Sequence, residues 1–123
     1  MNKGRKITGG KYKKARKKKL YELPGMPRVV KLSGKKTKLI KIQGGRKKLV
    51  SLQQNEANII DNGKSKKAKI KTVLETPANR FLARQNILIK GAVIETELGK
   101  ARITNRPSQE GIVQGELLAN TNS

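Results

Sequence analysis

The sequence predicts a mainly β fold: a small β-barrel or strongly curved antiparallel sheet with one short helix, preceded by a basic extended N-terminal arm. Three observations predict it. Short runs rich in Val, Ile, Leu and Thr recur from Arg28 onward, glycine-bearing turns separate them, and residues 1–19 hold hardly any apolar side chain. Closure of many short strands into a barrel removes the exposed edges an open sheet would leave. A chain of 123 residues has room for one such core and some unstructured sequence.

The arm comes first. Residues 1–19, MNKGRKITGGKYKKARKKK, carry ten basic side chains, three glycines and no acid. Such a segment cannot bury enough apolar surface to offset the entropy of ordering, so it is expected to be disordered alone and ordered on a polyanion. Residues 20–27, LYELPGMP, place two prolines around a glycine and read as an irregular connector. The expected organisation is a basic extension and connector over 1–27, a β-barrel domain over 28–119 and a frayed end over 120–123.

Strands are expected at 28–32 (RVVKL), 37–43 (TKLIKIQ), 47–53 (KKLVSLQ) and 67–75 (KAKIKTVLE). Ser33 with Gly34, Gly44 with Gly45, and Asn62 with Gly63 supply turns in which positive φ costs little, so a meander of hairpins is the expected outcome. Thr76 and Pro77 have the character of an N-cap and first helical residue, opening a short helix through ANRFLARQ with Ala78, Phe81 and Leu82 at helical spacing. Strand character returns at 92–98, 100–104 and 111–118, with Gly99 turning a hairpin in which Glu95 and Glu97 approach Lys100 and Arg102. Val29, Ile40, Ile42, Val50, Ile70, Val73, Phe81, Ile94, Ile103 and Val113 are the expected core, an aliphatic one of modest size.

Charge decides the class of partner. Thirty Lys and Arg residues face eight Asp and Glu, a net charge of +22, which exceeds what solubility requires and calls for a dense polyanion. The surplus is unevenly placed: residues 1–48 hold 19 basic residues and one acid, Glu22, whereas residues 49–123 hold 11 and seven. The first stretch is expected to neutralise and the second to fold. Cysteine and histidine are absent, which excludes disulfides, thiol and imidazole chemistry and the usual zinc sites. The acids are scattered and no GxxxxGK[ST] loop occurs, so no catalytic residue, metal, cofactor or small-molecule substrate is expected. No apolar run reaches the roughly 18–20 residues of a membrane span, and a soluble, intracellular protein without a membrane partner is the expectation.

The candidate RNA-binding residues follow from the same chemistry. In the arm they are Lys3, Arg5, Lys6, Lys11, Lys13, Lys14, Arg16, Lys17, Lys18 and Lys19, closely spaced cations that displace counterions from phosphates. Basic runs are not specific, and a solubilising or localisation tail is the plain alternative. Tyr12 is a candidate for stacking on unpaired bases, as is Tyr21, although packing on the protein's own surface explains either equally well. Gly44 and Gly45, followed by Arg46, Lys47 and Lys48, lack Cβ atoms and let backbone N–H groups approach phosphates, or simply turn a hairpin. Lys67, Lys69 and Lys71 alternate with Ala68 and Ile70, and Arg80 and Arg84 lie four apart on the expected helix; each set forms a phosphate-facing row or an ordinary solvated face.

Five phrases in order, RKITGG (5–10), KKKLYEL (17–23), KIQGGRKKLVSL (41–52), VLETPANRFLARQNILIKGAVIETELG (73–99) and ARITNRPSQEG (101–111), resemble the S8e family of small-subunit ribosomal proteins shared by archaea and eukaryotes. The chain resembles the archaeal version most, because the C-terminal stretch lacks the long insertion of the eukaryotic proteins. Leu20 with Tyr21, and LPGMP at 23–27, depart from the family's pattern. The resemblance implies a β-barrel-like domain with a basic extension buried in small-subunit ribosomal RNA, other small-subunit ribosomal proteins as neighbours, and a cytoplasmic place in ribosomes. The rivals are a ribosome-assembly factor, a general nucleic-acid-coating protein and, from another class, a nuclease, for which the isolated acids offer no support.

Overall fold

The computed structural model describes residues 4–13 and 16–118 and is mainly β. Its strands are β1 (Lys31–Leu32), β2 (Lys36–Lys41), β3 (Lys47–Gln54), β4 (Glu56–Asp61), β5 (Lys64–Glu75), β6 (Val93–Thr96), β7 (Gly99–Ile103) and β8 (Gln114–Leu117), with one helix, α1 (Arg80–Arg84), between β5 and β6. Strands β4, β5, β6, β7 and β8 form a closed barrel, and β1, β3 and β2 form a separate three-stranded sheet in that order.

Local chemistry explains the barrel's hairpins. Asn62 and Gly63 adopt φ of 47° and 78°, the pair of positive values a two-residue hairpin needs, and join β4 to β5. In β4, Ala57 and Ile59 face inward; in β5, Ala68 and Ile70 do. The β5–β6 register then shifts around Lys71, a bulge that returns Val73 to the interior and bends the strand around the barrel. Ile94, Ala101, Ile103 and Val113 complete the core, with Val30, Leu88 and Ala92 packed beside them.

Closure comes from a parallel pairing of β4 with β8, in which Ile59 lies opposite Gly115. A Cβ on Gly115 would fall 2.9 Å from the backbone oxygen of Arg102 and 3.2 Å from Ile59 Cδ1. Only glycine fits there. Small residues at Ala57, Ala68, Ala92 and Ala101 serve the same end, since a barrel of only five strands encloses little volume for large side chains.

The three-stranded sheet is held to the barrel by polar contacts as well as packing. The Ser51 N–H donates to the carbonyls of Pro107 and Glu110 at 3.1 and 3.0 Å. The buried Gln54 amide donates to Ser51 Oγ at 3.0 Å and to the Gly111 carbonyl at 2.8 Å. Asn105 shapes that loop, donating to Glu110 Oε2 and the Ile112 carbonyl and accepting from the Gln114 N–H.

Several expectations are corrected. The strand β4 lies in a stretch read only for its turn, and the expected meander is interrupted by two parallel pairings, β1 with β3 and β4 with β8. The segment 104–113 is mostly a structured loop, so the last strand begins at Gln114. Asn79, not Thr76, caps α1: its side chain accepts the Phe81 N–H at 3.0 Å, while the buried Thr76 donates its hydroxyl to the Asn79 carbonyl. Val29, Ile42 and Phe81 are exposed rather than core, and Ile40 is half-buried: the chain turns Val30 rather than Val29 into the core, β2 is an edge strand, and α1 packs on the core through Ala83 rather than Phe81. Val50, Ile70, Val73, Ile94, Ile103 and Val113 are buried as expected.

Candidate nucleic-acid interface

The arm exposes all of its described residues: 4–13 and 16–29 bury nothing. Its first part folds back locally, with the Lys6 N–H donating to the Gly10 carbonyl, the Gly9 N–H to the Lys6 carbonyl, and Arg5 Nη1 to the Gly9 carbonyl, each at 2.9 Å. Gly9 has φ of 79°, a value that suits glycine and closes this turn. Lys6 and Lys19 lie 5.8 and 6.0 Å from the ring centres of Tyr12 and Tyr21, so each exposed ring pairs with an ammonium group of its own arm. Lys11, Lys13, Lys17 and Lys18 are exposed; Lys3 and Lys14 lie outside the described residues.

Arg16 behaves differently from its neighbours. Its guanidinium makes a two-bond contact to the Glu22 carboxylate at 2.8 and 2.7 Å, and the Lys19 N–H adds a third bond at 2.9 Å. Arg16 first, and then the Lys19 N–H, hold the Glu22 carboxyl below the usual carboxylate range. The single acid of the first 48 residues thus pins one cation, and among the described residues the other cations of the run join no ion pair.

The β2–β3 hairpin concentrates charge at its tip. Gly44 and Gly45 take φ of 79° and 74° in a tight turn closed by the Ile42 N–H donating to the Arg46 carbonyl at 2.8 Å. Lys41 lies directly opposite Lys47, a like-charge pair that destabilises an isolated sheet. Lys48 instead turns its ammonium to the Gln109 side-chain carbonyl, which orients it without neutralising it. Arg28 Nε donates to the Ser108 carbonyl at 3.3 Å, so the loop at 105–110 holds both the root of the arm and the hairpin.

On the barrel, Lys67, Lys69 and Lys71 project outward as their alternation with Ala68 and Ile70 requires. The row is not uniform. Lys67 Nζ lies 2.6 Å from Glu56 Oε2, a contact that lowers the Glu56 pKa, whereas Lys69 and Lys71 join no ion pair among the described residues. Lys71 precedes Thr72 and Val73, which bond to the Asn86 side chain just beyond α1; Arg80 and Arg84 on α1 are exposed. The row and the helix are therefore neighbours, and the structure adds exposed Lys36, Lys38 and Lys41 on β2, an edge strand. This strand matches the one expected at 37–43, and the lysines spaced through KTKLIK (36–41) are the signal that would have added them to the candidates. Lysines there also discourage edge-to-edge pairing.

Among the described residues the ion pairs are Arg16–Glu22, Lys66–Asp61 and Lys67–Glu56, and no group of three acidic side chains is placed to hold a metal ion. No helix of the described residues is long and apolar enough to cross a membrane.

A closed five-stranded barrel, an appended sheet and a solvent-facing surplus of cations define a small basic β-barrel protein. The profile of the family described as Ribosomal protein S8e matches residues 1–118, and the chain belongs to that family. The protein "Small ribosomal subunit protein eS8" of Sulfolobus acidocaldarius is 47% identical over 120 residues, spanning 95% of this chain and 94% of the relative. The proteins of the same name from Nanoarchaeum equitans and Sulfurisphaera tokodaii are 44% and 46% identical, each spanning 93% of this chain and 91% of the relative.

Proposed function

We propose that this chain is a structural constituent of the small ribosomal subunit that binds small-subunit ribosomal RNA by phosphate neutralisation and shape recognition, in the cytoplasm and beside other small-subunit ribosomal proteins. Residues 1–27 act as an RNA-binding extension and the rest of the chain as a docking body. The observation that carries this reading is the surplus of cations on a member of the S8e family: Lys41 and Lys47 face each other, and apart from the Arg16–Glu22 pair no cation among the described residues of the arm joins an ion pair.

Mechanistically, the arm and the hairpin tip release counterions from phosphates, a gain that is large and falls steeply with salt. Backbone N–H groups near Gly44 and Gly45 and the exposed ammonium groups of Lys69 and Lys71 position the body on ribose and phosphate without reading much sequence. Sucrose-gradient sedimentation of cell extract at rising salt tests the assignment. Residence in mature small subunits is the expected result; presence only in precursor particles, or on chromosomal DNA, contradicts it.

A further inference from the structure

Phe81 is the only phenylalanine of the chain, yet it is 57% exposed. Its position is well fixed. Asn79 accepts the Phe81 N–H at the start of α1, and past the helix Asn86 Oδ1 accepts from the Thr72 hydroxyl and the Val73 N–H, both at 3.2 Å. Leu82 is half-buried and Ala83 packs on the barrel core, while Arg80, Phe81 and Arg84 remain exposed. The Arg80 guanidinium carbon sits 5.4 Å from the ring centre, a cation–π contact that holds the guanidinium beside the ring.

We propose that Phe81 is a stacking platform for one unpaired base of folded RNA, with Arg80 and Arg84 taking the phosphates on either side. The proposal rests on the RNA-binding reading above and assigns to it a specific contact. A rigidly mounted aromatic ring offers a π face to any base, and guanidinium groups bind phosphate or stack with equal geometric ease. A pocket on a partner protein would be matched by an apolar surround, but the ring's neighbours on this helix face are two arginines that join no ion pair among the described residues. A single turn of helix also places both cations within reach of one nucleotide and its neighbour.

The test uses the full chain and its F81L, F81W and R84Q variants, titrated against small-subunit ribosomal RNA with chemical probing of base reactivity. F81L is expected to weaken binding roughly 5- to 100-fold with an unchanged salt slope, and to restore reactivity at one unpaired base that the wild type protects. F81W is expected to bind as the wild type does, and R84Q to reduce the salt slope by about one contact. Equal affinity and identical reactivities for F81L and wild type overturn the platform. So does a loss that appears only when other small-subunit proteins are present, since that places Phe81 in a protein pocket. Failure of the underlying reading looks different: the wild type itself then shows no preference for ribosomal RNA over an unrelated RNA of equal length.

Discussion

The arm and the barrel solve opposite problems with the same amino acids. Along β5, lysines alternate with Ala68 and Ile70, so each cation is the outward half of a residue pair whose inward half stabilises the fold. In the arm, lysine follows lysine with no apolar partner, and residues 4–13 and 16–29 bury nothing. The difference teaches that charge density and foldability compete for sequence positions. A barrel surface can carry a cation at every second residue, whereas a denser run must give up its own core and find order on a partner.

Several substitutions break or sharpen this contrast. The largest expected effect lies in the barrel: Ile94→Ala removes a fully buried side chain and should cost about 2–5 kcal/mol of stability, read from denaturant unfolding, with an unchanged salt slope for RNA binding measured where the variant remains folded. A smaller effect is expected at the hairpin tip. Lys47→Gln relieves the like-charge pairing with Lys41, so stability should hold or rise by about 0.2–1 kcal/mol, while the salt slope for RNA falls by about 0.7–0.9. A variant that loses both stability and affinity would show that Lys47 serves the fold.

The smallest effect concerns the Glu56 carboxyl, whose pKa lies below the usual 4.5 chiefly because Lys67 hydrogen-bonds to it. A depressed folded-state pKa contributes stability that is present above 4.5 and is lost as pH falls through the folded value. In an NMR titration, Lys67→Gln should move the Glu56 midpoint upward. A midpoint that stays put would assign the shift to Lys35 or Lys69 instead, the weaker influences on the same carboxylate.

Much of the fold was legible because it is written locally. Asn62 with Gly63 announced a hairpin, Gly44 with Gly45 a second, and the alternation of Lys67, Lys69 and Lys71 with Ala68 and Ile70 announced the outward face of β5. Strand β4 was missed because Ile60 breaks the alternation of Ala57 and Ile59; the turn at Asn62 needs a strand before it, and that was the available clue. The cap of α1 was misplaced because Thr76 and Asn79 are both good caps, and only tertiary structure shows the Thr76 hydroxyl engaged by the Asn79 carbonyl. Parallel pairings such as β4 with β8 join residues more than fifty apart, and no local pattern encodes them. The exposure of Phe81 departs from its helical spacing with Ala78 and Leu82, because so short a helix turns Leu82 and Ala83 toward the barrel and leaves Phe81 on the outer side. For the site, the dense cation runs were readable, but the Arg16–Glu22 and Lys67–Glu56 contacts that set two of those cations apart required geometry.

The most direct test of the central claim removes residues 2–19 and compares the truncated and full-length proteins in thermal unfolding and in salt-dependent binding to small-subunit ribosomal RNA. The division of labour described above predicts an unchanged unfolding midpoint, a sharp loss of affinity, and a salt slope reduced by several contacts at about 0.7–0.9 each. Undiminished affinity, or a barrel that melts earlier without its arm, would contradict it.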